Sequence, residues 1–412
     1  RDVQYRLAYS PNDRDLSCVL CQIAKAEGLD DIVSGNNLEI TPYVSAEQGE
    51  FRSPPAQTEW RGEGVNYNAG ADLRWGVTDN SVLNATINPD FSQVETDAAQ
   101  LEVNNRFSLF FSEKRPFFLD GAEYFNTRYN LLHTRNIADP DYGVKYTGKN
   151  GGHSYGVLVS RDQATSFIIP GAQSSSVYTL LDSNFDDVES DVAAARYSMD
   201  VGDNSQVGFL ATNRSAEGYE NTVLSIDGSQ KLYDAGTLRY QVMYSDSDNT
   251  DDMQQRFGLD PNTTGRGFEL NYSHRDTHWN WYATHSDFDD DFRTDLGFLG
   301  VVGNTKDVVG LGYRWYGEEG DFFHEYKVSG EYKERHLTSG QKYEQQREVG
   351  FQMSGNYRSF FYFGSANRDT LYQQMWFDEE YFWMESSFRP VGSLRLGLYL
   401  ETADTIDFRH DR

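Results

Sequence analysis

Residues 236–244 read Gly-Thr-Leu-Arg-Tyr-Gln-Val-Met-Tyr, and the order of these residues decides the fold. In an extended chain successive side chains point to opposite faces, so Gly236, Leu238, Tyr240, Val242 and Tyr244 share one side. Thr237, Arg239, Gln241 and Met243 share the other. The same period of two returns along the chain. Tyr142, Val144 and Tyr146 alternate with Gly143, Lys145 and Thr147; Phe268, Leu270, Tyr272 and His274 with Glu269, Asn271, Ser273 and Arg275. Val309, Leu311, Tyr313 and Trp315 oppose Gly310, Gly312 and Arg314, and Leu394, Leu396, Leu398 and Leu400 oppose Ser393, Arg395, Gly397, Tyr399 and Glu401. Each run reaches the roughly 9–11 residues of a tilted strand across a bilayer. One face is apolar and the other carries charge.

Strand repetition alone allows a soluble sandwich or a membrane barrel. Composition favours the barrel. Mean hydropathy is −0.68, and no stretch approaches the roughly 20 apolar residues of a membrane helix. Yet the chain holds 27 Tyr and 26 Phe, the residues of barrel interface girdles. Only every second residue of a barrel strand need be apolar, so low hydropathy does not argue against a membrane. The expected fold is therefore all-β: an antiparallel transmembrane β-barrel of roughly 16–18 or more strands, in the outer membrane of a Gram-negative bacterium. Its partners would be outer-membrane lipid and lipopolysaccharide, with other envelope or surface proteins and a saccharide as further candidates. The net charge of −28 excludes a nucleic-acid binder, which needs a basic face for phosphates.

One segment breaks the rhythm. Asn88–Phe125 reads NPDFSQVETDAAQLEVNNRFSLFFSEKRPFFLDGAEYF. Phe91, Val94, Ala98 and Leu101 recur at helical steps, and an aromatic and basic knot follows with Pro116 in its middle. We expect a non-barrel insert folded in or at the lumen. The barrel domain would run over residues 61–412, with 88–125 as its plug-like insert, behind an N-terminal connector with short strands at residues 1–60. In that connector Leu38–Ser45 reads as a strand containing Pro42, which points to an edge, a strand start or a bulge.

TINPDFSQVETD (residues 86–97) and FFSEKRPFFLDGAEYF (residues 110–125), with LEITPYV at 38–44 and DLGFL at 295–299, resemble the signature of a bacterial family of outer-membrane barrel proteins of unknown function. The resemblance covers the chain from about Gly28 onward. It implies the barrel fold and the location, and no established activity. In that family the barrel usually follows a module resembling family 9 carbohydrate-binding domains. The residues at hand contain no such module, and the pair Cys18 and Cys21 is not a feature of the family.

Three readings of the insert follow. In the first, Asp90, Glu95, Asp97, Glu102, Glu113 and Asp120 pair with Arg106, Lys114 and Arg115, because an unpaired buried charge costs several kcal/mol or so. Phe107, Phe110, Phe111, Phe117 and Phe118 would then anchor the insert on the wall. In the second, aromatic faces and charged groups hold a saccharide. In the third, two carboxylates cut a glycan, with Glu113, Asp120 and Glu123 as the candidates, though nothing singles out a pair. No G-x-S-x-G, H-E-x-x-H or phosphate-binding loop occurs, so no catalytic residue is assigned. The expected function is a plugged or gated conduit for a solute or polymer. The alternatives are an anchor for a surface module or partner subunits and, last, a glycan-degrading enzyme.

No metal site or cofactor is expected. Cys18 and Cys21 have no second pair, and the nearest His is His133, so the pair reads as a local disulfide rather than half a zinc site. The acidic stretches 182–191, 246–252 and 287–291 lack calcium-loop spacing and read as solvated loops. His274 and His285 fall on apolar faces, where packing outweighs metal binding as an explanation. Arg1 without a preceding Met points to a processed or trimmed chain. The end at Phe408–Arg412 lacks a terminal aromatic, which points to missing last strands.

Overall fold

A computed structural model describes residues 37–51, 61–62, 64–89, 100, 104–202, 204–318 and 320–408. In chain order the strands are β1 (Leu38–Glu47), β2 (Glu50–Phe51), β3 (Arg61–Gly62), β4 (Asn66–Thr78), β5 (Ser81–Ile87), β6 (Pro140–Asn150) and β7 (His153–Asp162). A small hairpin, β8 (Ser166–Ile169) and β9 (Ser176–Thr179), precedes β10 (Ser190–Asp200), β11 (Gln206–Ala216), β12 (Tyr219–Tyr233) and β13 (Gly236–Asp248). Then come β14 (Asn262–Arg275), β15 (Trp279–Phe288), β16 (Asn304–Tyr316), β17 (Phe323–Leu337) and β18 (Lys342–Gly355). The last three are β19 (Ser359–Tyr372), β20 (Met375–Val391) and β21 (Leu394–Ala403). Among the described residues two short α-helices interrupt them, α1 (Pro116–Leu119) and α2 (Asp251–Phe257).

Among the described residues seventeen strands form one antiparallel sheet. Pairing runs from β1 to β4, then through β5, β6 and β7 to β10, and onward strand by strand to β21. No pairing joins β1 to β21 among the described residues, and both are exposed along nearly their whole length. The sheet nevertheless curls around inner segments. Asp120 meets Arg74 on β4 at 2.9 Å, and the Tyr129 hydroxyl donates to Glu269 on β14 at 2.7 Å. Gln173 donates to the Leu371 carbonyl on β19 at 2.7 Å, and Asn104 to the Ile406 carbonyl beyond β21 at 2.6 Å. Connected inner segments reach β4, β14, β19 and the stretch after β21, which requires the wall to wrap around them.

The pairing register puts the apolar members of the alternating runs on one face. Leu238, Tyr240, Val242 and Tyr244 pair with Tyr272, Leu270, Phe268 and Arg266. Val309 and Leu311 sit opposite Ala283 and Trp281. Val242, Leu270, Trp281, Val309, Leu311, Val328, Val349 and Leu398 are all exposed, while Gln241, Ser245, Glu269 and Ser286 on the other face are buried. A sandwich would bury its apolar face against a second sheet. Here the apolar face is outermost, a continuous belt that only a non-aqueous surrounding can cover. That settles the alternative left open by strand repetition in favour of the membrane barrel.

Several boundaries differ from expectation, including those of the acidic stretches 182–191 and 287–291, which run into β10 at Ser190 and out of β15 at Phe288. The wall starts at Leu38, not residue 61, because β1 pairs with β4 over its full length, from Leu38 opposite Trp75 to Glu47 opposite Asn66. Pro42 lies in this strand, at the edge of the sheet, where its missing N–H costs least. The stretch 246–252 is not one loop: Asp246 and Asp248 end β13, and Asp251 and Asp252 open α2, whose first turn Thr250 caps through the Met253 N–H.

The two ends of the sheet are unlike. At one end the connections are short: 79–80, 151–152, 234–235 and 392–393, none longer than 317–322. The other end carries the long ones, 88–139, 163–189, 249–261 and 289–303. These fold inward. Phe118, Leu131, Ile137, Phe292, Leu296 and Val302 pack on Leu158, Val192, Leu210, Val223 and Met243, which point in from β7 and β10–β13. The inner face is thus apolar where the long connections rest on it.

Candidate functional site

One side of the interior is held by buried ion pairs. Arg115 binds Glu113 through Nε at 2.9 Å and Nη2 at 2.8 Å. It also donates to the carbonyls of Ile137 and Thr134 at 2.7 and 2.6 Å, with its guanidinium 4.3 Å from the Phe118 ring centre. Burial alone would raise the Glu113 pKa, but the bonds and charge of Arg115, with the Thr134 hydroxyl, outweigh it and hold the carboxyl at about 2. Lys145 reaches in from β6 to the Phe117 carbonyl at 2.5 Å. Arg214, from β11, has no exposed side-chain surface. It meets Asp162 of β7 at 2.6 Å, Ser190 of β10 at 2.9 Å, and the carbonyls of Asn136 and Ser166 at 2.8 and 3.1 Å. Arg293 and the fully buried Asp295 repeat the arrangement at 2.8 Å, with Tyr219 donating to the same carboxylate at 2.5 Å.

The opposite wall is different. The inward residues of β7 and β10–β13 nearest the long connections are buried, with Gln206 and Arg239 toward the short turns exposed, whereas Lys327, Glu331, Lys333, Glu348 and Arg368 on β17–β19 keep part of their surface open and Glu385 on β20 is exposed. Charges here also pair: Arg314 with Glu325 at 3.1 Å, Lys333 with Glu344 at 2.8 Å and Arg368 with Glu379 at 2.7 Å. The Tyr282 hydroxyl bonds Glu331. A partly open, mixed-charge strip therefore runs beside the filled half.

Where the insert meets the β8–β9 hairpin lies a cavity of about 550 Å³. Segment 105–109 lines it with Phe111, residues 133, 135 and 136, positions 166–168 and 175–177 of the hairpin, and Phe298. The Ser175 N–H donates to the Arg106 carbonyl at 2.9 Å, and the Ser108 N–H to the Ser175 hydroxyl at 2.9 Å, so the hairpin fixes one edge. His133 is 4.9 Å from the Phe110 ring and 5.4 Å from that of Phe298. Burial lowers its pKa to about 4, against the pull of Glu113, so the ring is neutral at pH 7. Arg106 lies 3.9 Å from the Phe408 ring and 4.8 Å from that of Tyr372.

The residues singled out from sequence scatter over these three regions. Glu113 and Arg115 form the inner ion pair, and Asp120 bonds Arg74 on the wall. The Lys114 N–H donates to Glu113 at 3.0 Å. Arg106, expected to meet a carboxylate within the insert, instead sits on aromatic rings. Phe117 and Phe118 are buried anchors, Phe107 and Phe111 line the cavity, and Phe110 is half-exposed. Asp90, Glu95, Asp97, Glu102, Cys18 and Cys21 lie outside the described residues, as does the helical pattern from Phe91 to Leu101. Among the described residues no cluster of His, Cys, Asp and Glu could hold a metal ion. The DLGFL stretch has a role that its sequence does not announce: the Leu296 carbonyl accepts from the His133 N–H at 2.6 Å, and the Phe298 N–H donates to the Asn130 carbonyl at 2.7 Å. The Tyr43 hydroxyl of LEITPYV likewise donates to the Asn88 carbonyl at 2.7 Å, so the signature stretches meet in space.

A closely strand-paired wall with an apolar exterior and a charged interior defines an outer-membrane β-barrel, and puts the chain in the membrane where it was expected. Residues 36–151 match a family described as a domain of unknown function (DUF5916), a span from β1 through the insert to the end of β6. Among solved structures the chain is similar to Pseudomonas aeruginosa OccK8 (OprE), at 10% identity over 90% of this chain and 89% of that one, with a TM-score of 0.39. It is similar to Pseudomonas aeruginosa OpdK with vanillate at 10% identity, 90% and 89% coverage and a TM-score of 0.37. OccK10 (OpdN) of the same organism gives 11% identity, 89% and 97% coverage and a TM-score of 0.34. Likeness at this level carries nothing about solute or mechanism. No curated protein matches the sequence.

Proposed function

We propose that this chain is an outer-membrane conduit for a small solute, with the insert as a fixed plug in one half of the lumen. The solute would pass between the insert and the β16–β20 wall. The observation that carries the reading is the unequal filling of the interior. Inward residues near the long connections are sealed by apolar packing and ion pairs on one side, and are partly open and mixed in charge on the other. The bonds of Arg115, Lys145 and Arg214 argue that residues 113–137 stay in place while solute passes. Short turns are typical of the periplasmic end of such barrels and long connections of the outer end, so the insert and the cavity would face the cell exterior. The test is conductance of the purified chain in planar lipid bilayers. Stepwise single-channel openings support the conduit, and a silent bilayer containing folded protein overturns it.

The buried pairs themselves favour a second reading, a closed barrel that anchors a surface module, including one of the family 9 carbohydrate-binding type, or partner subunits. Silent bilayers together with a co-purifying subunit would support it. A glycan-degrading site has lost its motivation at two of the three carboxylates considered, since Glu113 and Asp120 are both held by arginines.

A further inference from the structure

Lys306 differs from the other inward charges of the wall. It shares the inner face of the sheet with Ser286, which lies opposite it on β15, and it makes no hydrogen bond or ion pair with any described residue. Its partner across the other ladder, on β17, is a second cation, Arg335. Like charges directly opposite one another on paired strands are destabilising. The surroundings add to the repulsion. Arg128, from the connection that follows the insert, and Lys333, the next inward residue of β17, also lie within electrostatic reach of Lys306, and Glu344 is the carboxylate that offsets them. Glu344 is already engaged, by Lys333 at 2.8 Å and by Arg335 at 3.8 Å. Arg128 pairs with Glu269. Four cations therefore converge with two carboxylates between them, in a chain whose net charge is −28. Glu331 and Glu348, opposite one another on β17 and β18, bound the cluster toward the short turns.

The cluster is accessible. The side chains of Arg128, Lys333 and Arg335 keep 38, 18 and 24% of their surface open, and Lys306 is half-buried. Arg128 stands on the inner segment and the other three on the wall, so the cations face one another across the gap between insert and wall. The Arg335 Nε is buried without a hydrogen-bond partner. We propose that this cluster is a binding site for a small oxyanion of two negative charges, a phosphate or sulfate group, with Lys306 as its principal charge partner and Arg335 and Arg128 beside it. Two charges balance the excess of cations over carboxylates, and several oxygens suit an ammonium and guanidinium groups that donate from different sides. The site deepens the conduit reading by naming the class of solute drawn into the gap, and rests on that reading for its purpose. Binding itself does not depend on conduction.

The experiment is titration calorimetry on the chain in a non-ionic detergent at about pH 7.5 and low salt, where screening is weak. The titrants are sulfate, inorganic phosphate, glycerol phosphate, acetate and methylammonium. The site predicts that at least one of sulfate and inorganic phosphate binds, and that acetate and methylammonium bind at least about tenfold more weakly. Comparison of glycerol phosphate with inorganic phosphate decides whether the group arrives on an ester or as the free ion. Lys306→Gln should weaken dianion binding by about tenfold or more, and Arg335→Gln should weaken it too, while Arg161→Gln, on the outer wall, leaves it unchanged. Lys306→Gln breaks no pair, so it should unfold at no lower urea concentration than the parent. Resistance to unfolding in SDS at room temperature, read as a shifted gel band, shows whether each variant is folded. Acetate binding as tightly as sulfate and phosphate, no binding of either dianion, or folded Lys306→Gln and Arg335→Gln variants with unchanged affinity would overturn the site. Dianion binding in a chain that gives silent bilayers would sink the conduit and leave the site standing, and channel openings without dianion binding would do the reverse.

Discussion

Replacing Arg214 with alanine should be among the most damaging single changes in the interior. Its side chain and that of Asp162 are both fully buried, 2.6 Å apart. Without the arginine, Asp162 keeps backbone N–H groups as partners, among them those of Ala138 and Asp139 at 3.2 and 2.8 Å, and no countercharge from Arg214. Removing one partner of a buried pair costs about 3–5 kcal/mol, because the other charge is left uncompensated. The carbonyls of Asn136 and Ser166 lose a donor as well, and water admitted to the vacated space offsets part of that loss. The net expectation is a loss of about 3–5 kcal/mol in urea unfolding from lipid vesicles, followed by tryptophan emission. A double-mutant cycle with Asp162→Asn separates the pair from the carbonyl bonds, and its coupling term should be at least about 1.5 kcal/mol. An Arg214→Ala variant within about 0.5 kcal/mol of the parent would refute the idea that this arginine ties the insert, β7, β8 and β10 together.

Acid should loosen the insert. The Glu113 carboxyl is held at about 2 against an ordinary 4.5, so its contribution is complete above pH 4.5 and disappears as pH falls toward 2. The shift corresponds to about 3 kcal/mol, and Glu113→Gln should flatten the pH dependence of unfolding in that window. His133, lowered to about 4 from 6.5, adds a loss of the same sign between pH 6.5 and 4, which His133→Phe should remove. Gly265→Ala should cost about 1–3 kcal/mol in the urea titration, because a Cβ there meets the backbone of Phe292 rather than a side chain that can turn away.

The wall was legible in the sequence because a strand reports its two faces locally. Leu238 and Tyr240 announce the lipid side whatever surrounds them, and Pro42 announces an edge. The interior was less legible because its chemistry depends on what fills it. Leu158, Val192 and Met243 lie on the face expected to be wet, and they are apolar because the insert and residues 289–303 cover them. Nothing near Arg214 in sequence indicates that it would meet Asp162, Ser190 and Asn136. Helix α2 does carry a local signal, Thr250 followed by two acidic residues at a helix start. The cavity had none, since the segments lining it, from Asn105 to Phe298, meet only through the fold.

The central claim is that half of the lumen is closed and half conducts. It is tested most directly by single-channel recording of the intact chain, compared with an Arg368→Ala variant on the open wall and the Arg214→Ala variant on the filled side. The account predicts discrete openings in the parent. Arg368→Ala removes a partly exposed cation from the open wall and leaves the buried Glu379 charge uncompensated, and should shift the reversal potential in a salt gradient toward cation preference, whereas Arg214→Ala should leave that potential unchanged. No openings from folded protein, or a reversal potential that follows Arg214 and ignores Arg368, would contradict it.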